Sequence, residues 1–172
     1  MSADPKGVAV LVGAGSIGQA IVRRTGFGRK VVVADLRLEN AEAAAGVLEG
    51  AGFSCTSLCT DIGSSASVEQ RVLRCQELDS VDRVICAAGV SPSQAPAEDI
   101  LRVDLYGTAV LLEVFGRIAA RGGAGLVVSP QSERRMFAAG SDFLMDGGAT
   151  ASSFYGDLRI LRARIREDGR AV

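Results

Sequence analysis

Three glycines near the amino terminus and one acidic residue further along form the most informative chemical pattern in the chain. The glycines are Gly13, Gly15 and Gly18, spaced as G-x-G-x-x-G after an apolar run, and Asp35 follows about 20 residues later. This arrangement predicts a strand, a tight turn and a helix that begins at the turn. Such a helix directs unpaired N–H groups and the positive end of its dipole toward a phosphate. The motif therefore predicts anion binding by backbone groups alone.

Each glycine of the motif has a separate mechanical reason. Gly13 permits the tight turn, Gly15 lets the backbone approach a pyrophosphate, and Gly18 lets the helix pack closely against the strands. We expect that no side chain fits at any of these three positions.

Asp35 is predicted to end the second strand. A carboxylate there accepts hydrogen bonds from ribose hydroxyls and repels a 2′-phosphate, so the ligand is predicted to be a dinucleotide, NAD rather than NADP. Arg37 lies close enough in sequence to soften this preference. The alternative interpretation makes Asp35 a turn residue or the N-cap of the next helix.

Strands and helices are predicted to alternate along the chain. The predicted strands are 7–12, 30–35, 53–60, 81–86 and 125–129, and the predicted helices are 16–25, 38–50, 65–78 and 98–121. Strict alternation indicates an α/β fold, a three-layer Rossmann-like doubly wound parallel sheet. In such a sheet the ligand lies at the carboxyl ends of the strands, where the glycine motif, Asp35, Asp61, the 87–89 segment and Ser129 all fall.

Composition limits the other classes of function. The 172 residues are 48% hydrophobic, which is enough for one core, and the net charge is −1, which argues against a nucleic-acid surface. The Arg-rich segment 159–166 is interpreted as a solvated helix face. Neither a signal peptide nor an apolar segment of roughly 20 residues is recognised, so we expect a cytoplasmic protein without a membrane partner.

The chain contains no histidine, which removes Ser-His-Asp and Cys-His chemistry and the usual base near neutral pH. The four cysteines form no C-x-x-C pair and are predicted to be buried, reduced thiols: Cys55, Cys59, Cys75 and Cys86. We therefore expect no metal site.

The chain resembles the short-chain dehydrogenase/reductase family over residues 7–130. The resemblance is carried by the glycine motif, Asp35, and the segments Thr60-Asp61-Ile62, Cys86-Ala-Ala-Gly89, Val103-Asp-Leu-Tyr-Gly107 and Gly125-Leu-Val-Val-Ser129. It implies an NAD-dependent oxidoreductase. The cofactor contacts that it implies are Ser16 and Ile17 at the pyrophosphate, Asp35 and Leu36 at the ribose, Asp61 and Ile62 at the adenine, and Ala87, Ala88 and Gly89 along the cofactor.

The catalytic half of the family pattern has no full counterpart. The family places a Tyr-x-x-x-Lys pair after the fifth strand. In this chain the short crossover 131–141 instead leads directly to residues 142–172, which resemble the family's C-terminal strand and tail. This difference indicates an internal deletion. The only lysines are Lys6 and Lys30. Ser129 stands nearest the position of the family's serine, with Ser132 as an alternative.

Three further residues bear on catalysis. Asp104 replaces the family's usual asparagine. Tyr155 and Arg159 are spaced i, i+4 like the missing pair but follow the C-terminal strand. Tyr106 lies within the predicted long helix and is interpreted as packing.

Two functions stay open on these observations. One is an NAD-dependent oxidoreductase of an alcohol or ketone, and the other is a catalytically silent NAD-binding or interaction module. Loss of the family's later elements would leave an exposed edge or apolar patch, which predicts a homo-oligomer. The predicted long helix carries an apolar stripe, which faces the sheet or forms a dimer face, and periodicity favours the sheet. The stripe comprises Leu105, Ala109, Leu112 and Ile118.

Overall fold

A computed structural model of the chain describes residues 7–91 and 93–128. Within these residues lie five parallel strands in the order β3-β2-β1-β4-β5. The strands are β1 (Val8–Val12), β2 (Lys30–Asp35), β3 (Ser54–Cys59), β4 (Val81–Cys86) and β5 (Ala124–Val127). The prediction of a Rossmann-like α/β fold is confirmed.

Helices connect the strands at close to the predicted positions. They are α1 (Ser16–Thr25), α2 (Leu38–Glu49), α3 (Ser65–Leu78), and a long helix formed by Ala97–Ile100, Leu101–Gly107 and Thr108–Ile118. Differences from the predicted bounds amount to a residue or two at most ends, as expected where helices fray. The exception is the end of the long helix, where Ala119 leaves the helical conformation with ψ 130°.

The sheet separates two apolar layers because successive side chains of a strand point to opposite faces. Helices α1 and α2 cover one face, where Leu11 and Val33 are fully buried. Helix α3 and the long helix cover the other face, where Val10 and Val32 are buried. This three-layer core fixes the carboxyl ends of the strands relative to one another.

The long helix corrects one prediction. Its buried face consists of Ile100, Gly107, Leu111, Val114 and Phe115. Of the stripe predicted to face the sheet, Leu105 is 49% exposed and Ala109 is exposed, whereas Leu112 is half-buried and Ile118 packs against the core. Tyr106 is 50% exposed among the described residues, so its interpretation as a packing residue was also wrong.

The middle of the long helix, Leu101–Gly107, is a π-helix. Hydrogen bonds between residues five apart widen such a turn and shift the helical phase. Residues 102 and 107 consequently come closer to one face than an α-helix would allow.

The edge of the sheet opposite the strand carboxyl ends is held by charged side chains. Arg29 Nε donates to both carboxylate oxygens of Asp82 at 2.9 Å. Lys30 Nζ donates to the carbonyl oxygen of Leu78 at 3.0 Å. Of the described helices, none combines the length and apolar character needed to cross a membrane.

Candidate functional site

The turn after β1 packs directly against the turn after β4. Gly13 has φ +95°, and its N–H donates to the carbonyl oxygen of Ala34 at 2.8 Å. A Cβ at Gly13 would lie 2.5 Å from the carbonyl carbon of Ala87, too close for any side chain. A Cβ at Gly18 would lie 2.6 Å from Leu11 Cδ1. The expectation that no side chain fits is met at both positions.

Gly15 behaves differently. It has φ −65°, and a Cβ built there meets no atom within 4 Å. A side chain would therefore fit in the structure as it stands, which corrects the expectation for this glycine. The unfilled space lies beside the first turn of α1, where a phosphate would bind.

The amino end of α1 offers unused donors. No side chain of residues 7–91 or 93–128 caps it, and its first turn carries no acidic residue. By contrast, Ser64 caps α3 by accepting from the N–H of Ser67 at 3.4 Å. Ser16 is exposed and Ile17 is 59% exposed at the uncapped end. Unpaired N–H groups and the helix dipole favour an anion at this end.

The Asp35 carboxylate lies beside the glycine turn. Its Oδ2 accepts from the N–H of Ala14 at 2.9 Å, and its Oδ1 accepts from the N–H of Arg37 and from Asn40 Nδ2, both at 3.1 Å. Asp35 therefore has the turn role of the alternative interpretation, whereas its N-cap role was wrong because Arg37 is the N-cap of α2. Asp35 is only half-buried, and Leu36 beside it is 65% exposed. The three donors hold the carboxylate in one orientation at the rim of the cleft.

The turn after β3 is packed against the long helix. Asp61 Oδ1 accepts from the N–H of Gly63 at 2.8 Å, and Asp61 Oδ2 lies 3.5 Å from Arg102 Nη1. Ile62 is 5% exposed, with its side chain in the core, so it can meet a ligand only through its backbone. A Cβ at Gly107 would lie 2.7 Å from the carbonyl oxygen of Ile62, which explains the glycine there.

The segment after β4 forms the opposite wall. Ala87 and Ala88 are half-buried and Gly89 is exposed, so small residues line an open rim. The N–H of Val90 donates to Asp104 Oδ1 at 2.9 Å, and this bond ties the wall to the π-helical segment. Asp104 Oδ2 is buried and has no hydrogen-bond partner among the described residues.

Burial makes three of the four thiols poor nucleophiles. Burial raises the pKa of Cys86, at the end of β4, to about 11, and that of Cys75 to about 12. Burial also raises the pKa of the half-buried Cys55 to about 11. Cys59 is exposed, which corrects the prediction that every cysteine is buried, and all four thiols are free. Within the described residues, no cluster of ligands could hold a metal ion.

The catalytic candidates lie mostly outside the described residues. These are Ser129, Ser132, Tyr155 and Arg159, together with the predicted crossover and C-terminal strand. Lys30 is described, and its Nζ lies at the edge of the sheet opposite the cleft. It therefore cannot take the place of the missing lysine.

The structure adds two residues that sequence reasoning missed. Asn40 holds the Asp35 carboxylate, and Arg102 lies over the Asp61–Gly63 turn. Arg102 is three residues after Asp99, a spacing that signals an ion pair on a helix, but nothing in the sequence connects it to Asp61. The contact depends on the tertiary packing of the long helix.

The residues present fit a dinucleotide. Gly15 leaves room for a phosphate beside an uncapped helix end, and Asp35 stands at the next strand end with a fixed carboxylate. The turn at Gly15 follows β1, where the strand order changes direction between β1 and β4, the usual place for a ligand in such sheets, and Asp35 ends the neighbouring strand β2.

Comparison with known proteins supports this assignment. The family model described as short chain dehydrogenase matches residues 7–134. A short-chain dehydrogenase/reductase of Alternaria brassicicola, bsc3, is 38% identical over 120 residues, covering 70% of this chain and 44% of that protein. D-threitol dehydrogenase of Mycolicibacterium smegmatis is 31% identical over 142 residues, covering 73% of this chain and 52% of that protein. The chain thus spans about half the length of these curated relatives.

A solved structure shows the same fold. A metagenomic short-chain oxidoreductase in complex with NADP superposes with a TM-score of 0.66 at 24% identity, covering 97% of this chain and 78% of that one.

Proposed function

The chain belongs to the short-chain dehydrogenase family of oxidoreductases, and from this premise we propose that it binds NAD(H) and transfers hydride between this cofactor and an alcohol or ketone. The 87–89 segment would line the cofactor and Asp61 would lie at its adenine end. One juxtaposition carries the proposal: the uncapped end of α1, with open space at Gly15, faces the fixed carboxylate of Asp35.

The proposed roles follow from what each group can donate or accept. The N–H groups at the start of α1, including that of Ser16, would bind the pyrophosphate. Asp35 would accept from a ribose hydroxyl through the one lone pair that its three existing bonds leave over. When bound, the nicotinamide ring would supply the site that accepts or donates hydride. Val90 and Asp104, joined by their hydrogen bond, would fix the wall on that side.

NAD rather than NADP is the proposed cofactor because of charge. A 2′-phosphate would carry about two negative charges and would lie close to the Asp35 carboxylate, which would repel it. The N–H groups and the dipole at the start of α1 would already be used by the pyrophosphate and could not offset this repulsion. Arg37 is exposed one residue beyond Leu36 and offers a cation that would lessen the repulsion. The proposal therefore predicts a preference for NAD and not complete exclusion of NADP.

Titration of the full chain with NADH and NADPH, followed by nicotinamide fluorescence, tests the proposed cofactor. NADH should bind more tightly than NADPH, and Asp35→Ala should reduce the difference. Hydride transfer is tested by absorbance at the nicotinamide band over a panel of alcohols and ketones. Binding of neither cofactor would contradict the proposal.

The D-threitol dehydrogenase among the relatives suggests which substrates should come first. Its name refers to a small polyol, so the panel should start with short polyols and the corresponding hydroxyketones. Because the match covers about half of that protein, the substrate class is a proposal for this chain.

A second candidate function is a catalytically silent NAD-binding or interaction module. The observation in its favour is the lysine count: besides Lys6, the chain has only Lys30, whose Nζ donates to Leu78 at the far edge of the sheet. Tight NADH binding without turnover over the whole panel would favour this candidate over the oxidoreductase. Turnover that Ser129→Ala abolishes would exclude it and would assign the candidate serine.

A homo-oligomer is proposed on the exposed side of the long helix. Leu101, Leu105 and Tyr106 are each between 41% and 50% exposed, so they form an apolar patch within the described surface. Leu105→Glu should lower the mass measured by light scattering if two copies meet here. An unchanged mass would place any contact elsewhere.

A cytoplasmic location likewise stays a prediction.

A further inference from the structure

Arg102 reaches from the long helix across the turn that follows β3. Its Nη1 lies 3.5 Å from Asp61 Oδ2 and its Nη2 lies 3.4 Å from Asp99 Oδ1. A Cβ on Gly63 would come within 3.1 Å of Arg102 Cζ and 3.2 Å of its Cγ. The side chain therefore lies flat against the backbone of the turn, and the glycine makes room for it.

The two ion pairs do little for stability by themselves. Arg102, Asp61 and Asp99 have side chains that are 46%, 38% and 45% exposed, and ion pairs with such exposure contribute about 0 to 1 kcal/mol. Their effect on geometry is larger. Gly63 N–H holds one oxygen of Asp61 at 2.8 Å and Arg102 holds the other, so the carboxylate cannot rotate freely.

The strand order places this turn at one end of the proposed cofactor cleft. With the pyrophosphate at the turn after β1 and the ribose at Asp35 after β2, the next strand outward is β3, whose carboxyl end leads to Asp61. The base attached to that ribose must extend toward β3, and the nicotinamide half must extend toward β4. The Asp61–Gly63 turn therefore faces the adenine.

We propose, resting on the function proposed above, that Arg102 is a positioning residue for the adenine end of the cofactor, acting by fixing the Asp61–Gly63 turn from the π-helical segment. The π-turn makes this reach compatible with the packing of Gly107 on Ile62, because it brings residues five apart toward the same face. Arg102 contacts the turn through its guanidinium and does not touch the reacting atoms.

The test compares a whole dinucleotide with half of one. The full chain, its Arg102→Ala variant and its Arg102→Lys variant are titrated with NADH and with reduced nicotinamide mononucleotide, which lacks the adenosine half. Arg102→Ala should weaken NADH binding by up to about fivefold, as for a loss of about 1 kcal/mol, and should leave mononucleotide binding unchanged. Arg102→Lys should restore part of the loss, because an ammonium can pair with Asp61 but cannot span both acids.

Arg117→Ala is the matched control, since Arg117 forms an exposed ion pair with Glu113 on the same helix, away from the turn. It should leave both affinities unchanged. Amide exchange gives an independent readout without ligand: Gly63 should exchange faster in Arg102→Ala than in wild type.

Each contrary outcome has a distinct meaning. Unchanged or tighter NADH binding by Arg102→Ala would overturn the inference, and so would an equal loss for both ligands, which would indicate a general structural defect. Failure of the wild-type chain to bind NADH would instead overturn the proposed function, and the inference with it.

Discussion

The carboxylate of Asp35 accepts a hydrogen bond from the N–H of Ala14, its Oδ2 lying 2.9 Å from the donor although 21 residues separate the two in sequence. This bond connects the end of β2 to the glycine turn after β1. Asp35 therefore has a structural role as well as its proposed role at the ribose. Mutations at this position must be designed to separate the two.

Asp35→Asn and Asp35→Ala make that separation. Asparagine can keep its oxygen for Ala14 only by turning its Nδ2 toward the Arg37 N–H and Asn40 donors, so Asp35→Asn should lose about 1 to 2 kcal/mol of stability, less than Asp35→Ala, and should also lose the charge that repels a 2′-phosphate. We expect the ratio of NADH to NADPH affinity to fall in both variants, by roughly tenfold, as for one charged hydrogen bond. Fluorescence titration gives the ratio, and urea unfolding gives the stability.

Glu69→Gln is a suitable control for that pair of variants, because Glu69 is an exposed acid on α3. It should leave the ratio unchanged. A ratio that also stays constant in both Asp35 variants would show that Asp35 has only the structural role.

Gly15→Ala should separate ligand binding from folding. At φ −65° with no atom within 4 Å, an alanine is unstrained, and removing a glycine should stabilise the fold by up to about 1 kcal/mol. Its methyl group would occupy the space where the phosphate is proposed to lie. We expect a higher midpoint in urea together with at least tenfold weaker NADH binding.

Gly13→Ala should lower the stability of the fold, in contrast to Gly15→Ala. At φ +95°, with the Ala87 carbonyl carbon 2.5 Å from the new Cβ, it should destabilise the chain by about 2 kcal/mol or more. If Gly15→Ala binds NADH like the wild type, the phosphate does not lie beside that glycine.

Asp104 offers a test of the link between the long helix and the wall after β4. Asp104→Ala removes the acceptor for the Val90 N–H and should cost about 1 to 3 kcal/mol. Asp104→Asn keeps an acceptor and replaces a buried oxygen that has no partner among the described residues, so it should be milder. Thermal unfolding should order the midpoints as Asp104→Asn above Asp104→Ala; the reverse order would mean that the Val90 bond contributes little.

Cys75 should make stability depend on alkaline pH. Burial raises its pKa from 9.0 to about 12, so the folded chain holds this proton more tightly than the unfolded chain. The resulting stability is fully present below pH 9 and is lost as the pH rises toward 12, at up to about 1.4 kcal/mol per pH unit. Urea unfolding should show that the difference in unfolding free energy between wild type and Cys75→Ala is about 1 kcal/mol smaller at pH 10 than at pH 8.

Cys59→Ala removes an exposed thiol instead and controls for the loss of a cysteine as such. The difference in unfolding free energy between Cys59→Ala and wild type should stay small at both pH values. A Cys75→Ala difference that is constant with pH would contradict the assigned burial effect.

Features that depend on a short segment of sequence could be predicted, whereas features that depend on the packing of distant segments could not. The turn at Gly13 and the close packing at Gly18 follow from a short motif in its proper context, and the structure confirms both. The buried face of the long helix was predicted wrongly at Leu105 and Ala109, because the π-turn at Leu101–Gly107 shifts the helical phase and an α-helical period does not include that shift.

The proposed site shows the same division. Asp35 was predictable from its spacing to the glycines, whereas its bonds to Ala14 and Asn40 depend on the exact path of two turns. Arg102 could not be connected to Asp61 because the two are 41 positions apart in sequence and only the docked helix brings them together.

The central position of β1 has a consequence for the order in which the molecule assembles. During synthesis, β1, β2 and β3 can pair as soon as residue 59 has emerged, but β1 pairs on its other side with β4, where Val12 stands opposite Cys86. The turn at Gly13 rests on Ala87 and lacks that support until this distant segment arrives. Contacts so distant in sequence form slowly because a long loop must close first. We therefore expect the support for the Gly13 turn to form only after β4 has paired with β1.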